Sequence, residues 1–420
     1  MMMSKILANP EYRIRLWSVR LLTIALVALC GGSPATNAQQ PQQGSQPQRP
    51  RRVGSSIEPA PTPLPTPRPA STGEEVDEGD VLRIETQLVS VPAVVYDRTG
   101  RPLVSLRPEN FILYEDGQPQ RIANFTTTEA PFEVALLLDT SGSTRADVAL
   151  IRRAANAFID ALRAGDRVAL VAFNTAQDGA TSLATVDVKT RLTSDRATLR
   201  KALENVGVSN GTPLYDALER IALDIFREPP REEVRGRRAV VALTDGVDSA
   251  SIAEYADARA KLLRAGVACY FIQVNTEDFV EDRLLRDCRD DGTLRLSQTQ
   301  LQRYRKIFLP RADAADYESF CQLGPFERMQ ISRNLYDLAR LEMNDLARVS
   351  GGKNFVAGDL RDARNALAQV AIEIGTQYNL GYYPTNKSRD GRYRTIRVEV
   401  KGVTGAAQVR AREGYYAPKS

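Results

Sequence analysis

The 420-residue sequence contains no histidine. Histidine is the commonest general base in proteins and the usual partner of a nucleophilic serine. Its absence makes the stretch Thr140-Ser141-Gly142 a poor candidate for a hydrolase nucleophile. The chain also lacks a strong excess of either charge, because its formal net charge is only +4. A balance this mild does not argue for a nucleic-acid partner, and we expect none.

Long apolar runs are missing as well. The run at 21–29 follows a basic start and is too short to cross a bilayer comfortably. Small residues follow at 36–38, so residues 1–38 are predicted to be a signal peptide that is cleaved after Ala38. The mature chain would then be periplasmic or extracellular, without stable membrane insertion. Lipidation at Cys30 is the alternative, although Leu29 before it does not fit a lipoprotein signal; an uncleaved anchor is another.

Residues 39–78 are rich in Gln and Pro and contain no aromatic residue, which predicts a disordered linker. Short strand patterns follow in 79–130 and return in 377–418, each with turn signals such as Asp116-Gly117. Each set is too small to form a stable sheet alone. We therefore expect both chain ends to build one antiparallel β-domain. Two unrelated β-flaps are the alternative.

The stretch between these ends, 131–376, alternates buried strands with amphipathic helices. Such alternation predicts an α/β fold, a doubly wound and mainly parallel sheet inserted into the β-domain. Its first strand, 134–138, is an unbroken apolar run that ends in Asp139. A turn and then a helical pattern follow, which places the turn at the carboxyl end of a strand, where open α/β sheets bind ligands.

That turn presents Asp139, Ser141 and Ser143 at alternate positions. One carboxylate and two hydroxyls offer only oxygen, which suits a hard cation such as Mg²⁺. A metal held largely by neutral hydroxyls keeps positive charge with which to attract a carboxylate from a partner. The alternative is an ordinary helix cap made by Ser143.

Two later stretches bear on this choice: the loop that contains Thr212, and the buried strand at 239–243 that leads to Asp245. Together the three stretches resemble the von Willebrand factor type A domain with its metal-ion-dependent adhesion site. Stretches at 111–117, 381–384 and 412–416 resemble the bacterial exported family called VWFA-related. The resemblance implies a site for Mg²⁺, or Mn²⁺, that binds an acidic side chain of a protein ligand. The implied metal ligands are Asp139, Ser141, Ser143, Thr212 and Asp245.

One segment, 276–333, is far longer than a usual strand-to-helix connection and is an insertion relative to the family pattern. In an exported protein its Cys288 and Cys321 can form a disulfide, although two free thiols are the alternative. Cys269 lies in a predicted strand and is expected to be a free core thiol. If the preceding strand is parallel to 134–138, the insertion emerges on the metal-bearing side. The insertion is then a candidate determinant of binding specificity; the alternative is a solvated surface segment far from the site. Four of its residues could attract an acidic partner: Arg295, Arg303, Arg305 and Lys306.

We therefore expect an exported, non-enzymatic binding or adhesion protein. A metal-dependent hydrolase or phosphatase that uses Asp139 is one alternative, although Ser141 stands where a phosphoryl-transfer site usually has a second acid. A scaffold with a vestigial metal site is the other.

Overall fold

The structure is a computed structural model that describes residues 88–126, 131–142, 148–179, 181–228, 234, 237–288, 295–358, 362–403 and 406–419. These residues belong to one compact unit, Glu85–Ser420. The predicted signal peptide and linker, and Ser143, lie outside the described residues. Their assignments, like the domain boundaries, therefore stay predictions.

Fourteen strands in the described part of the chain form three sheets. Their bounds, in chain order, are β1 Val89–Asp97, β2 Phe111–Glu115, β3 Gln118–Gln120, β4 Ile122–Thr126, β5 Glu133–Leu138, β6 Arg167–Asp178, β7 Thr181–Thr193, β8 Arg238–Thr244, β9 Ala268–Val274, β10 Asn354–Ala357, β11 Tyr378–Tyr382, β12 Tyr393–Val400, β13 Ala406–Ala411 and β14 Gly414–Tyr416. The helices are α1 Val148–Ala161, α2 Arg196–Glu204, α3 Leu214–Arg220, α4 Tyr255–Ala265, α5 Glu277–Leu284, α6 Gln298–Phe308, α7 Pro325–Ser350 and α8 Ala363–Gly375.

The central sheet has the order β10-β9-β8-β5-β6-β7 and is parallel from β10 to β6. Every residue of β5 is buried, because helices cover both faces of the sheet. Alternate β5 side chains enter two different cores: Leu136 packs with α1, α2 and α8, and Leu137 packs with α3, α4 and α7. The predicted doubly wound α/β fold is confirmed.

Two local features of this domain differ from what its sequence predicts. The apolar stretch at 167–173 predicts a strand that ends there, but β6 continues to Asp178 and pairs antiparallel with β7. The sheet is therefore mixed at this edge. The stretch 213–226 predicts one regular helix, but the α-helix ends at Arg220 and is followed by a π-helical turn, Ile221–Ile225.

The β-domain consists of two antiparallel sheets, β13-β1-β11-β4 and β14-β12-β2-β3. Each sheet combines strands from the two chain ends, because β11 pairs with both β1 and β4 in the first sheet, and β12 pairs with β2 in the second. The sheets share one apolar core that includes Val91, Leu113 and Tyr378. The prediction that both ends fold together is confirmed.

The insertion folds as a small helical layer with its own apolar core, which includes Leu284, Leu301 and Phe320. Cys288 and Cys321 form a disulfide across it, and Cys269 is a buried free thiol, both as predicted. The predicted boundary at 333 falls inside α7, which begins at Pro325. In the described part of the chain, no helix is long and apolar enough to span a membrane.

Replacing Cys288 and Cys321 together by Ser should destabilise the insertion. The bond joins residues separated by 33 positions. By loop entropy alone a closed loop of that size contributes roughly 3–4 kcal/mol. In thermal unfolding, the double variant should have a lower transition temperature than the wild type. Reduction of the wild-type disulfide should lower the transition temperature in the same way. An unchanged transition would mean that the core of the insertion holds it without the bond.

Candidate metal centre

Two acidic side chains lie next to each other at the carboxyl edge of the parallel sheet. The register of β5 and β8 pairs Leu138 with Leu243, so Asp139 and Thr244 follow at adjacent strand ends. The Asp139 amide donates to Leu243 O at 3.0 Å, which extends the backbone hydrogen bonding between β5 and β8 by one residue. Asp245 comes one residue later. The strand-end position that the sequence predicted for both acids is therefore the one observed.

Asp139 is 1% exposed, and both of its carboxylate oxygens accept hydrogen bonds. The Ser141 amide donates to Oδ1 at 2.9 Å, and the Thr244 hydroxyl donates to Oδ2 at 2.6 Å. Burial first, and then the nearby charge of Asp245, hold the pKa of Asp139 well above its ordinary value. Two carboxylates have thus been brought together out of water.

Asp245 is held by a second set of donors. The Val247 amide donates to its Oδ1 at 3.0 Å, and the Thr276 hydroxyl donates to its Oδ2 at 2.8 Å. Thr276 lies 2.7 Å from the hydroxyl of Tyr336 on α7. Sequence reasoning missed Thr276 and Tyr336 as site residues. The one signal for Thr276 was its place just after a third buried strand, β9.

Thr212 reaches the same edge from the loop before α3. Its amide donates to the Ser249 hydroxyl at 2.8 Å, and the Ser209 amide donates to Thr140 O at 2.8 Å. These bonds tie the Thr212 loop to the turn after β5 and to the loop after β8. At the start of α3, Asp248 Oδ2 accepts from the Leu214 amide at 2.9 Å, which fixes the first turn of the helix.

The three loops, the insertion and α7 together line a cavity of about 130 Å³. Ser141, Thr212 and Asp245 line it, and Asp139 lies behind Ser141, whose side chain also bonds to it. Four of the five predicted ligands are thereby brought together.

A family model described as "von Willebrand factor type A domain" matches residues 134–247, which include Asp139, Ser141, Thr212 and Asp245. The chain contains a von Willebrand factor type A domain. A comparison with curated protein sequences gave no match.

Comparison with solved structures found remote similarities. An aerotolerance-related membrane protein from Bacteroides fragilis, with multiple mutations to serines, is 17% identical with a TM-score of 0.34, over 57% of this chain and 98% of that one. A von Willebrand factor type A protein from Catenulispora acidiphila is 13% identical with a TM-score of 0.37, over 77% and 74%. Proximal thread matrix protein 1 from the mussel byssus is 14% identical with a TM-score of 0.35, over 69% and 51%. Similarities this remote carry no argument about function.

The donors in the A domain fit a divalent cation. Among the described residues, no three His, Cys, Asp or Glu side chains come together as a metal site, so hydroxyl oxygens have to contribute. Carboxylates and hydroxyls are the oxygen donors that Mg²⁺ and Mn²⁺ take. The pKa of Asp139 is raised first by burial and then by the charge of Asp245, and a cation of charge +2 beside both carboxylates would offset both effects.

The basic residues proposed for the insertion differ in their surroundings. Arg303 is largely buried, forms an ion pair with Glu342 at 2.7 Å and lies over the Tyr215 ring, so its charge is already paired within the chain. Lys306 pairs with Glu254 at 2.7 Å, and Arg305 donates to Ala312 O at 3.3 Å. Only Arg295, of these four, lines the cavity.

Proposed function

We propose that this protein binds an acidic group of a protein partner through a divalent metal held in its A domain. The observation that carries the proposal is the convergence of Ser141, Thr212 and Asp245 on one cavity, with Asp139 buried behind them. Von Willebrand A domains mediate protein–protein interactions, which agrees with a binding role.

In this proposal Ser141 and Thr212 hold the metal with their hydroxyl oxygens, and Asp139 and Asp245 balance its charge directly or through water. When bound, Mg²⁺ or Mn²⁺ would supply a positive charge that attracts a carboxylate. Both oxygens of Asp245 already accept protein hydrogen bonds, so its orientation is set before any ligand arrives. The site is organised to recognise charge without moving its own side chains.

We further propose that the protein is not an enzyme. Asp139 is buried and both of its oxygens accept hydrogen bonds, which is a poor arrangement for a nucleophile that must reach a substrate. Steady magnesium-dependent hydrolysis of p-nitrophenyl phosphate, lost in Asp139→Ala, would overturn this proposal and favour a phosphatase.

The binding role is tested by affinity capture on the immobilised mature protein. Partner proteins should be retained in Mg²⁺, released by EDTA, and not retained by Asp139→Ala. A surface variant, Asp160→Ala, should behave as the wild type, because Asp160 is exposed and pairs only with Arg200 in the described part of the chain. Retention that is equal with and without EDTA would contradict a metal-dependent interaction.

We also propose that the protein is exported. The Cys288–Cys321 disulfide supports this, because such bonds persist in oxidising compartments. N-terminal sequencing of protein recovered outside the cytoplasm should begin at Gln39. A lipid-modified start at Cys30, or a start at Met1, would contradict cleavage after Ala38.

A further inference from the structure

The insertion forms one wall of the cavity above the metal ligands. Arg295 and Leu296 of the insertion, and Leu335 just after it on α7, line the cavity together with Thr212 and Asp245. The wall is fastened to the A domain, because the Ser297 hydroxyl donates to Ser249 O at 2.6 Å. Both Leu296 and Leu335 also belong to the apolar core of the insertion. The wall is therefore a packed surface of a folded layer.

This wall restricts what can reach the ligands. Ser141, Thr212 and Asp245 are 3%, 4% and 2% exposed. A flat protein surface cannot touch groups that are so deeply buried. A cavity of about 130 Å³ admits side chains of a short peptide segment and excludes a folded surface. The partner group must therefore be presented on an extended segment or an exposed chain end.

The cavity lining carries both polar groups and apolar side chains. The polar groups include the proposed metal ligands, the Ser249 hydroxyl, Gln300 and Ser332, and the apolar side chains are Val247, Val280, Leu296 and Leu335. An acidic side chain that entered alone would leave these apolar side chains against water. An aliphatic side chain beside the acid would cover them, and apolar burial is favourable in proportion to the area covered.

Arg295 adds positive charge where the cavity opens. It is exposed, and its Nη2 donates to Cys288 O at 3.1 Å. Cys288 is itself held by the disulfide to Cys321, so the bond positions the guanidinium at the cavity. A guanidinium has five N–H donors and binds carboxylates well. The charge of Arg295 would therefore favour the same acidic group as the metal.

We propose that the insertion makes the A domain selective for an extended peptide in which an acidic residue lies next to an aliphatic residue. The acid would take the metal end of the cavity, and the aliphatic side chain would lie against Leu296 and Leu335. This inference rests on the proposed function, since the acid binds through the metal.

The test uses the mature full-length protein loaded with Mg²⁺ and three capped dipeptides, followed by isothermal titration calorimetry or ligand-observed NMR. Acetyl-Leu-Asp-amide should bind at least fivefold more tightly than acetyl-Gly-Asp-amide. Acetyl-Leu-Asn-amide, which lacks the carboxylate, should bind at least tenfold more weakly than acetyl-Leu-Asp-amide. Equal affinities for the Leu-Asp and Gly-Asp peptides would overturn the inference.

Three variants and one control variant test which residues of the cavity cause the preference. Ser332→Leu adds volume where α7 lines the cavity and should abolish binding of the Leu-Asp peptide while leaving magnesium affinity unchanged. Leu296→Asn should remove the preference for Leu over Gly. Arg295→Gln should weaken both Asp peptides about threefold, whereas Arg311→Gln, an exposed arginine of the insertion outside the cavity lining, should not.

The experiments distinguish a failure of the proposed metal-dependent function from a failure of the proposed peptide selectivity. Absence of magnesium binding to the wild type would overturn the proposed function and this inference with it. Normal magnesium binding, together with a Ser332→Leu variant that still binds the Leu-Asp peptide, would overturn the inference alone. Magnesium affinity of each variant also reports that its fold is intact.

Discussion

Asp139→Ala should weaken magnesium binding at least a hundredfold and leave the protein folded. The side chain is 1% exposed and lies directly behind Ser141, so no other described carboxylate can take its place. Without metal the variant should be about as stable as the wild type. It loses the hydrogen bonds from Ser141 and Thr244, but it also removes one of two buried carboxylates that repel each other.

Thermal unfolding at increasing Mg²⁺ distinguishes these effects. A ligand that binds only the folded state stabilises it by roughly 2.7 kcal/mol when its concentration is a hundred times its dissociation constant. The wild type and Asp160→Ala should therefore unfold at rising temperatures as Mg²⁺ is added, whereas Asp139→Ala should not respond. Magnesium affinity of Asp139→Ala equal to that of the wild type would show that the ligand assignment is wrong.

Removing the chain after Gly375 should prevent the β-domain from forming. The truncation deletes β11, which lies between β1 and β4, and β12, which lies between β14 and β2. It would expose the apolar side chains of β1 at Val89, Val91 and Val94, which are 4%, 0% and 0% exposed in the intact chain. Burial of one such side chain contributes roughly 1.5–3 kcal/mol, against a net stability of about 5–15 kcal/mol for a typical domain.

The fragment 81–375 should accordingly aggregate in size-exclusion chromatography and lose strand signal in circular dichroism. The fragment 81–420, which lacks the predicted signal and linker but keeps both ends of the β-domain, is the matched control and should be monomeric and folded. A soluble fragment 81–375 with unchanged strand content would mean that the N-terminal strands do not need their C-terminal neighbours.

The parts of the fold that could be predicted were those with a local signal. The run before Asp139 has no polar interruption, which predicts a strand buried on both faces, and β5 is such a strand. The antiparallel pairing of β6 with β7 was missed, although Val186, Val188 and Leu192 alternate with polar residues in β7 as in a half-buried strand. The spacing of apolar residues at Ile221–Ile225 does not indicate a π-helical turn, so the sequence predicted one regular helix there.

At the site, residues at strand ends could be predicted and residues that act through distant contacts could not. Asp139 and Asp245 each follow an apolar strand, and parallel strands bring such ends together. The bond between Thr276 and Tyr336 joins positions 60 residues apart, so spacing gives no indication of it. The sequence likewise does not indicate that Arg303 forms an ion pair with Glu342, on α7. Ser143 stays a predicted ligand.

We propose that the loops after β5, before α3 and after β8 hold one divalent metal, and anomalous X-ray diffraction from crystals of the protein grown with Mn²⁺ would locate it. We expect one strong anomalous peak in the cavity, within coordination distance of the Ser141 and Thr212 hydroxyls and beside the Asp245 carboxylate. An empty cavity at saturating Mn²⁺, or a peak bound elsewhere while the cavity holds none, would contradict it.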